Sequence, residues 1–144
     1  MVVKDLNGEE YIWKHKGKES SKNASQLHIK ARNLLKEVFP TSKFIEEVAF
    51  TPKLGYRTTL FLDFYNKLFK IAIEVQGQQH FSKSTLFDKN KLTPFIRQKN
   101  DELKREWCLI NNIKLVYLNY NEDMNVWRKR LCETKDGYNP ESSG

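Results

Sequence analysis

Apolar residues recur along this chain with two different periods, and the changes between them mark out its elements. Leu27, Ala31, Leu34, Leu35 and Val38 return every three to four residues, which predicts a helix capped by Ser25 and ending before Pro40. Phe44 to Phe50 has strand character with Glu46 and Glu47 at its middle, and Thr51–Gly55 is a turn or loop. Two apolar runs follow, LFLDFYN (60–66) and FKIAIEVQ (69–76), joined so tightly near Asn66–Lys67 that they predict an antiparallel hairpin. Residues 82–93 are polar and lysine-rich, a loop. Pro94 suits the first turn of a second helix, whose stripe of Ile96, Leu103, Trp107 and Ile110 extends to about Asn112. Ile113–Tyr120 alternates as a last strand, and Val126–Cys132 is a short terminal helix.

The order is helix, three strands, helix, strand. A final strand reached through a crossover helix joins a mixed sheet, so the expected fold is α/β, a four-stranded mixed sheet flanked by helices (α-β-β-β-α-β). At 144 residues one core is comfortable and two are not. Residues 25–132 form that domain. Residues 1–24, with Lys14, Lys16, Lys18 and Lys22, are either a basic arm or a loosely packed leader, with Tyr11-Ile12-Trp13 as their apolar anchor, and 133–144 are a flexible tail.

Two positions do not fit a plain hairpin. Asp63 interrupts an apolar strand, and Glu74 and Gln76 follow Ile71-Ala72-Ile73, sharing a face with Ala72 while Ile71, Ile73 and Val75 share the other. A carboxylate in a covered sheet is costly without a partner. Two converging carboxylates suit a divalent cation, and Mg²⁺ (or Mn²⁺) needs few protein ligands: Asp63 and Glu74 are a sufficient set, which the Val75 carbonyl would complete. Such a metal supports phosphodiester hydrolysis, with Gln76 orienting a water or a phosphate oxygen. The charge agrees. Twenty-five Lys and Arg against 18 Asp and Glu leave a net +7, which favours a polyanion partner.

Asp63 followed by Glu74-Val75-Gln76 resembles the signature of the PD-(D/E)xK nucleases, with Gln at the usual Lys position, and the element order is similar to that family's core. DFY…IEVQGQQHF, followed by a helix carrying Asp101 and Lys104, resembles the branch of very short patch repair and phage-type homing endonucleases. The resemblance covers roughly residues 25–120. It implies that His80, closing Gly77-Gln78-Gln79-His80, is a general base or phosphate ligand, and that the second helix lines the site. There Asp101 would orient His80 or a water, and Lys104 would replace the missing motif lysine or bind phosphate. The acidic residue that the family often carries on its first helix has no clear counterpart. His28 is the inward-leaning candidate there, Glu37 lies at the helix end, and Glu46 or Glu47 on the next strand is an alternative.

The resemblance therefore implies a Mg²⁺-dependent endonuclease, phage-type or homing, acting on double-stranded DNA. Asp63, Glu74, Gln76, His80 and Asp101 are its expected catalytic residues. His28, Arg97, Lys104, Lys83 and Arg128-Lys129-Arg130 are expected nucleic-acid contacts, with Lys89 and Lys91 beside Lys83. So short a chain has little surface for reading a long site, and the expectation is that it nicks one strand, forms a homodimer to cut both, or depends on a specificity partner. A binding module with a dead site, and a nuclease for junctions or flaps, remain alternatives. The aromatic set Phe61, Phe64, Tyr65, Phe69, Trp107 and Tyr117 is expected in the core. Cys108 and Cys132 predict neither a disulfide nor a zinc site. Without a membrane-spanning run or the apolar core of a signal peptide, the expectation is an intracellular, cytoplasmic protein.

Overall fold

A computed structural model of the chain describes residues 1–55, 59–77 and 94–137. Its elements are β1 (Val2–Lys4), β2 (Glu10–Ile12), α1 (Gln26–Val38), β3 (Ile45–Phe50), β4 (Leu60–Asn66), β5 (Ile71–Gln76), α2 (Pro94–Ile110), β6 (Lys114–Asn119) and α3 (Met124–Asp136). From α1 to β6 they keep the predicted order. One sheet runs β3-β4-β5-β6, antiparallel except for the parallel β5/β6 pair that the crossover through α2 demands. The fold is α/β, with a four-stranded mixed sheet.

Local chemistry sets the helix ends. Ser25 Oγ accepts from the His28 amide at 3.1 Å and opens α1. Asp123 accepts from the Asn125 amide and opens α3 two residues before the predicted start. α3 then continues through Cys132 to Asp136, with Leu131 and Thr134 buried, so the stretch expected as tail begins as helix. Residues 138–144 lie outside the described residues.

Each face of the sheet has its own core. On one, Ala31, Leu34, Leu35 and Val38 of α1 and Trp127 and Leu131 of α3 meet Phe64, Ile71, Ile73, Val116 and Leu118. On the other, Trp107 and Cys108 of α2 meet Val48, Leu62, Tyr65 and Ala72. Trp107 is fully buried and stacks on Phe50 with ring centres 4.4 Å apart. Phe61, expected inside, is half exposed.

The N-terminal segment is neither arm nor loose leader, because it completes the second core. β1 and β2 form an antiparallel hairpin around the Asn7-Gly8 turn, where Gly8 takes φ +86°. The hairpin and the residue after it bury Val3 and Trp13 beside Trp107 and Tyr65. Asn111 at the end of α2 pins the hairpin through both the amide and the carbonyl of Lys4. Asp5 accepts from the amides of Asn7, Glu9 and Leu54. Residues 16–18 then run along the outer edge of β3, exchanging backbone bonds with Glu46 and Ala49, so that edge is covered. Gly17 is needed there, since a Cβ would lie 2.7 Å from the Glu46 carbonyl.

Both cysteines are free thiols. Among the described residues no helix is long and apolar enough to cross a membrane.

Candidate metal and nucleic-acid site

The site forms where the β4–β5 ladder stops. Regular pairing runs from Asn66↔Ile71 to Phe64↔Ile73. One residue further on, side chains replace the backbone partners: the Asp63 amide donates to Glu74 Oε2 at 2.7 Å, and the Val75 amide donates to Asp63 Oδ2 at 2.8 Å. The strands separate, and the gap is bridged by the two carboxylates that the sequence singles out. β3 is irregular at the same level. Glu47, between the pairs Glu46↔Phe64 and Val48↔Leu62, has φ +51°. Strand alternation would place Glu46 and Val48 on one face; with the left-handed residue between them, Glu46 faces α1 while Val48 joins the α2 core.

Glu74 is 7% exposed. Burial and then the neighbouring Asp63 charge push its carboxyl up to about 7, against the pull of Lys104. Lys104 reaches down from α2 and places its ammonium on Glu74 Oε1. Burial works against that ammonium, but Glu74 outweighs it and holds the lysine above its ordinary pKa. The geometry thus puts Lys104 at the carboxylate rather than on the surface.

Gln76 lies two residues beyond Glu74, half-buried, in register with Asn119. The Lys70 and Gln76 carbonyls accept from Lys114 and Tyr120 of the β6 segment, so by alternation the Val75 carbonyl turns toward β4 and Asp63. Asp101 stands one turn before Lys104 and is among the charges that act on it. Arg97 lies a turn earlier, partly buried. His80 falls outside the described residues, as do Gln78, Gln79, Lys83, Lys89 and Lys91.

Other expected contacts are employed elsewhere. His28 is buried, stacks on Phe64 and places Nε2 2.7 Å from Glu46 Oε1. Arg32 adds two bonds to the same carboxylate, at 2.7 and 2.9 Å. Burial would raise the Glu46 carboxyl, but Arg32, the Ser21 amide and His28 together pull it down to about 2. Glu46 is therefore a saturated structural anion on the α1 face, and His28 is its partner rather than a nucleic-acid contact. Glu47 pairs with Lys18, and Glu37 with Arg128. Arg130 bonds the Tyr117 carbonyl and Glu122, which caps the edge of β6. Of that basic triplet Lys129 is exposed, and Arg128 and Arg130 are half-buried.

Two residues that sequence reasoning left without chemistry stand beside the site. Tyr117 is paired with Glu74 across β5/β6, and Asn119 with Gln76. The Tyr117 hydroxyl and Asn119 Oδ1 are buried and make no hydrogen bond among the described residues. The signal was the period of two in β6, which puts Leu115, Tyr117 and Asn119 on the α2 side.

Among the described residues no group of three or more His, Cys, Asp or Glu side chains comes together as a metal cage. Asp63, Glu74 and the Val75 carbonyl still form a hard, all-oxygen donor set, which fits Mg²⁺ or Mn²⁺ because these ions retain several waters.

No family model matches the chain, and no solved structure does. It is 33% identical over 59 residues to "Uncharacterized protein 033L" of Invertebrate iridescent virus 3, and 38% identical over 59 residues to "Uncharacterized protein 307L" of Invertebrate iridescent virus 6. Each match covers 41% of this chain and 30% of the relative, so the chain spans under a third of the length of these curated relatives.

Proposed function

We propose that the chain is a Mg²⁺- or Mn²⁺-dependent endonuclease with a PD-(D/E)xK-like core, acting on double-stranded DNA. The observation that carries this reading is the junction of Asp63 and Glu74, two carboxylates converging where a ladder breaks, one of them buried and held far above its ordinary pKa. Nothing in a purely structural role calls for that arrangement, and strongly perturbed carboxyls concentrate at functional sites. Asp63, Glu74 and the Val75 carbonyl would hold the metal, which when bound supplies an activated water and charge neutralisation at phosphorus. Gln76 orients the water or a phosphate oxygen but carries no proton to exchange. Lys104 supplies the positive charge that Gln76 lacks. The net charge of +7 provides sequence-independent attraction to the backbone.

The test is conversion of supercoiled plasmid with Mg²⁺ or Mn²⁺, comparing wild type with Asp63→Asn, Glu74→Ala and an EDTA control. Nicked or linear product that vanishes in all three controls is expected. Tight, salt-sensitive DNA binding without product from plasmid, branched or linear duplex would sink the nuclease reading. It would favour the second one, a binding module of the same fold, which Gln76 at the usual lysine position supports.

A further inference from the structure

Lys104 occupies the place in which a cation would do most for Glu74. A metal arriving at Asp63 and Glu74 meets an ammonium already on Glu74 Oε1, and two positive charges cannot share one buried carboxylate oxygen cheaply. The ammonium must therefore have a second seat. Leaving for bulk water would mean drawing a largely buried side chain, 12% exposed, out of the sheet–helix interface.

The structure holds an unused acceptor at that interface. Tyr117 is the register neighbour of Glu74 on β6, so its side chain rises from the sheet on the same side, beneath α2. Among the described residues its buried hydroxyl has no hydrogen-bond partner, although a buried hydroxyl is normally satisfied. The charges that reach it come from Arg105, Glu74, Asp101 and Lys104, so it lies within the same small cluster. Asp101, one turn before Lys104 on α2, adds a carboxylate to that side.

We infer that Tyr117 is a positioning residue whose hydroxyl oxygen accepts the Lys104 ammonium when a divalent cation takes Glu74. Lys104 thus alternates between two buried partners: Glu74 in the metal-free protein, and Tyr117 with Asp101 in the metal-bound one. The exchange gives the buried Tyr117 hydroxyl a partner. It also keeps a positive charge beside the metal rather than expelling it.

This inference rests on the metal site proposed above, and the experiment separates the two. Mn²⁺ binding is measured by electron paramagnetic resonance and calorimetry, without DNA, on wild type, Lys104→Gln, Tyr117→Phe and the double variant. Lys104→Gln removes the competing charge and should tighten Mn²⁺ binding about tenfold or more. Tyr117→Phe removes the second seat and should weaken it about ten- to a hundredfold, the range of one hydrogen bond to a charged group. In the Lys104→Gln background the tyrosine change should do nothing. Thermal unfolding of Tyr117→Phe should match or exceed wild type, since an unpaired buried hydroxyl is lost; a lower Tm would mean that the hydroxyl already has a structural partner and would overturn the exchange. So would Mn²⁺ uptake in which Tyr117→Phe has no effect, or the same effect with and without Lys104. If neither wild type nor Lys104→Gln takes up Mn²⁺, the metal site itself is refuted.

Discussion

Replacing Glu46 by Gln measures how much of the fold rests on one buried charge. The carboxylate accepts from Arg32 Nε at 2.7 Å, Arg32 Nη2 at 2.9 Å and the Ser21 amide at 3.0 Å, with His28 Nε2 at 2.7 Å. These partners outweigh burial and bring its pKa from 4.5 to about 2. At about 1.36 kcal/mol per pH unit, that drop contributes about 3 kcal/mol at neutral pH, a large share of the 5–15 kcal/mol typical of a domain. Gln keeps the volume but loses the charge and turns an amide N–H toward other donors. Because the folded-state pKa is depressed, the contribution is complete above the unfolded value and disappears as pH falls from about 5 to about 2, with half gone near pH 3.2. Urea titrations of wild type and Glu46→Gln, from pH 7 downward in half-unit steps, should give a gap of about 3 kcal/mol that closes over that window. A gap under 1 kcal/mol at pH 7, or one independent of pH, would refute the reasoning. Loss of Mn²⁺ binding in a folded Glu46→Gln protein would make Glu46 a site residue after all.

Two further changes test how the N-terminal segment is held. Gly17→Ala forces a Cβ against the Glu46 carbonyl and the Val48 side chain, and should cost about 2 kcal/mol in urea unfolding, as overpacking does. An unaltered midpoint would mean that residues 16–18 do not ride on β3. Asn111→Ala leaves the Lys4 amide and carbonyl without their partner and should cost about 2 kcal/mol, with faster amide exchange confined to residues 2–12 and the end of α2. Exchange unchanged in the hairpin would show that Asn111 is not its anchor.

The sheet and its helices were legible because each element carries a clean period with a cap or a breaker at its ends: Ser25 before α1, Pro94 at the start of α2, alternation in β6. The same parity placed Glu74 beside Ala72 on the covered α2 face, and the interruption at Asp63 marked the break in the ladder. Residues 1–24 were misjudged because Val3 and Trp13 are isolated apolar positions among lysines, and three-residue strands leave no periodicity to detect. Their burial depends on Trp107, Tyr65 and Phe50, which come from far along the chain. His28 was misplaced for a similar reason. Its neighbour Leu27 showed that it leans inward, but only the left-handed turn at Glu47 brings Glu46 onto that face to meet it. Tyr117 looked like core because spacing reports the face on which a side chain lies, and not whether its hydroxyl has a partner there.

Two buried glutamates on this sheet respond to burial in opposite ways, and the contrast bears on the site proposed at Glu74. Glu46 is 2% exposed and Glu74 is 7% exposed, so solvent access does not distinguish them. Glu46 meets a guanidinium, an imidazole and an amide, and its carboxyl falls to about 2. Glu74 meets one ammonium, one amide and a second carboxylate, and its carboxyl rises to about 7. A fold that only had to bury a carboxylate has shown at Glu46 how thoroughly it can neutralise one. At Glu74 it instead sets another anion alongside, breaks the β4–β5 ladder there, and leaves a tyrosine hydroxyl on the neighbouring strand without a partner among the described residues. Each departure has a cost in stability, and all three occur at one point. Imperfect compensation concentrated in this way supports the proposed cation site, because a carboxylate already saturated by the protein has nothing left with which to bind one.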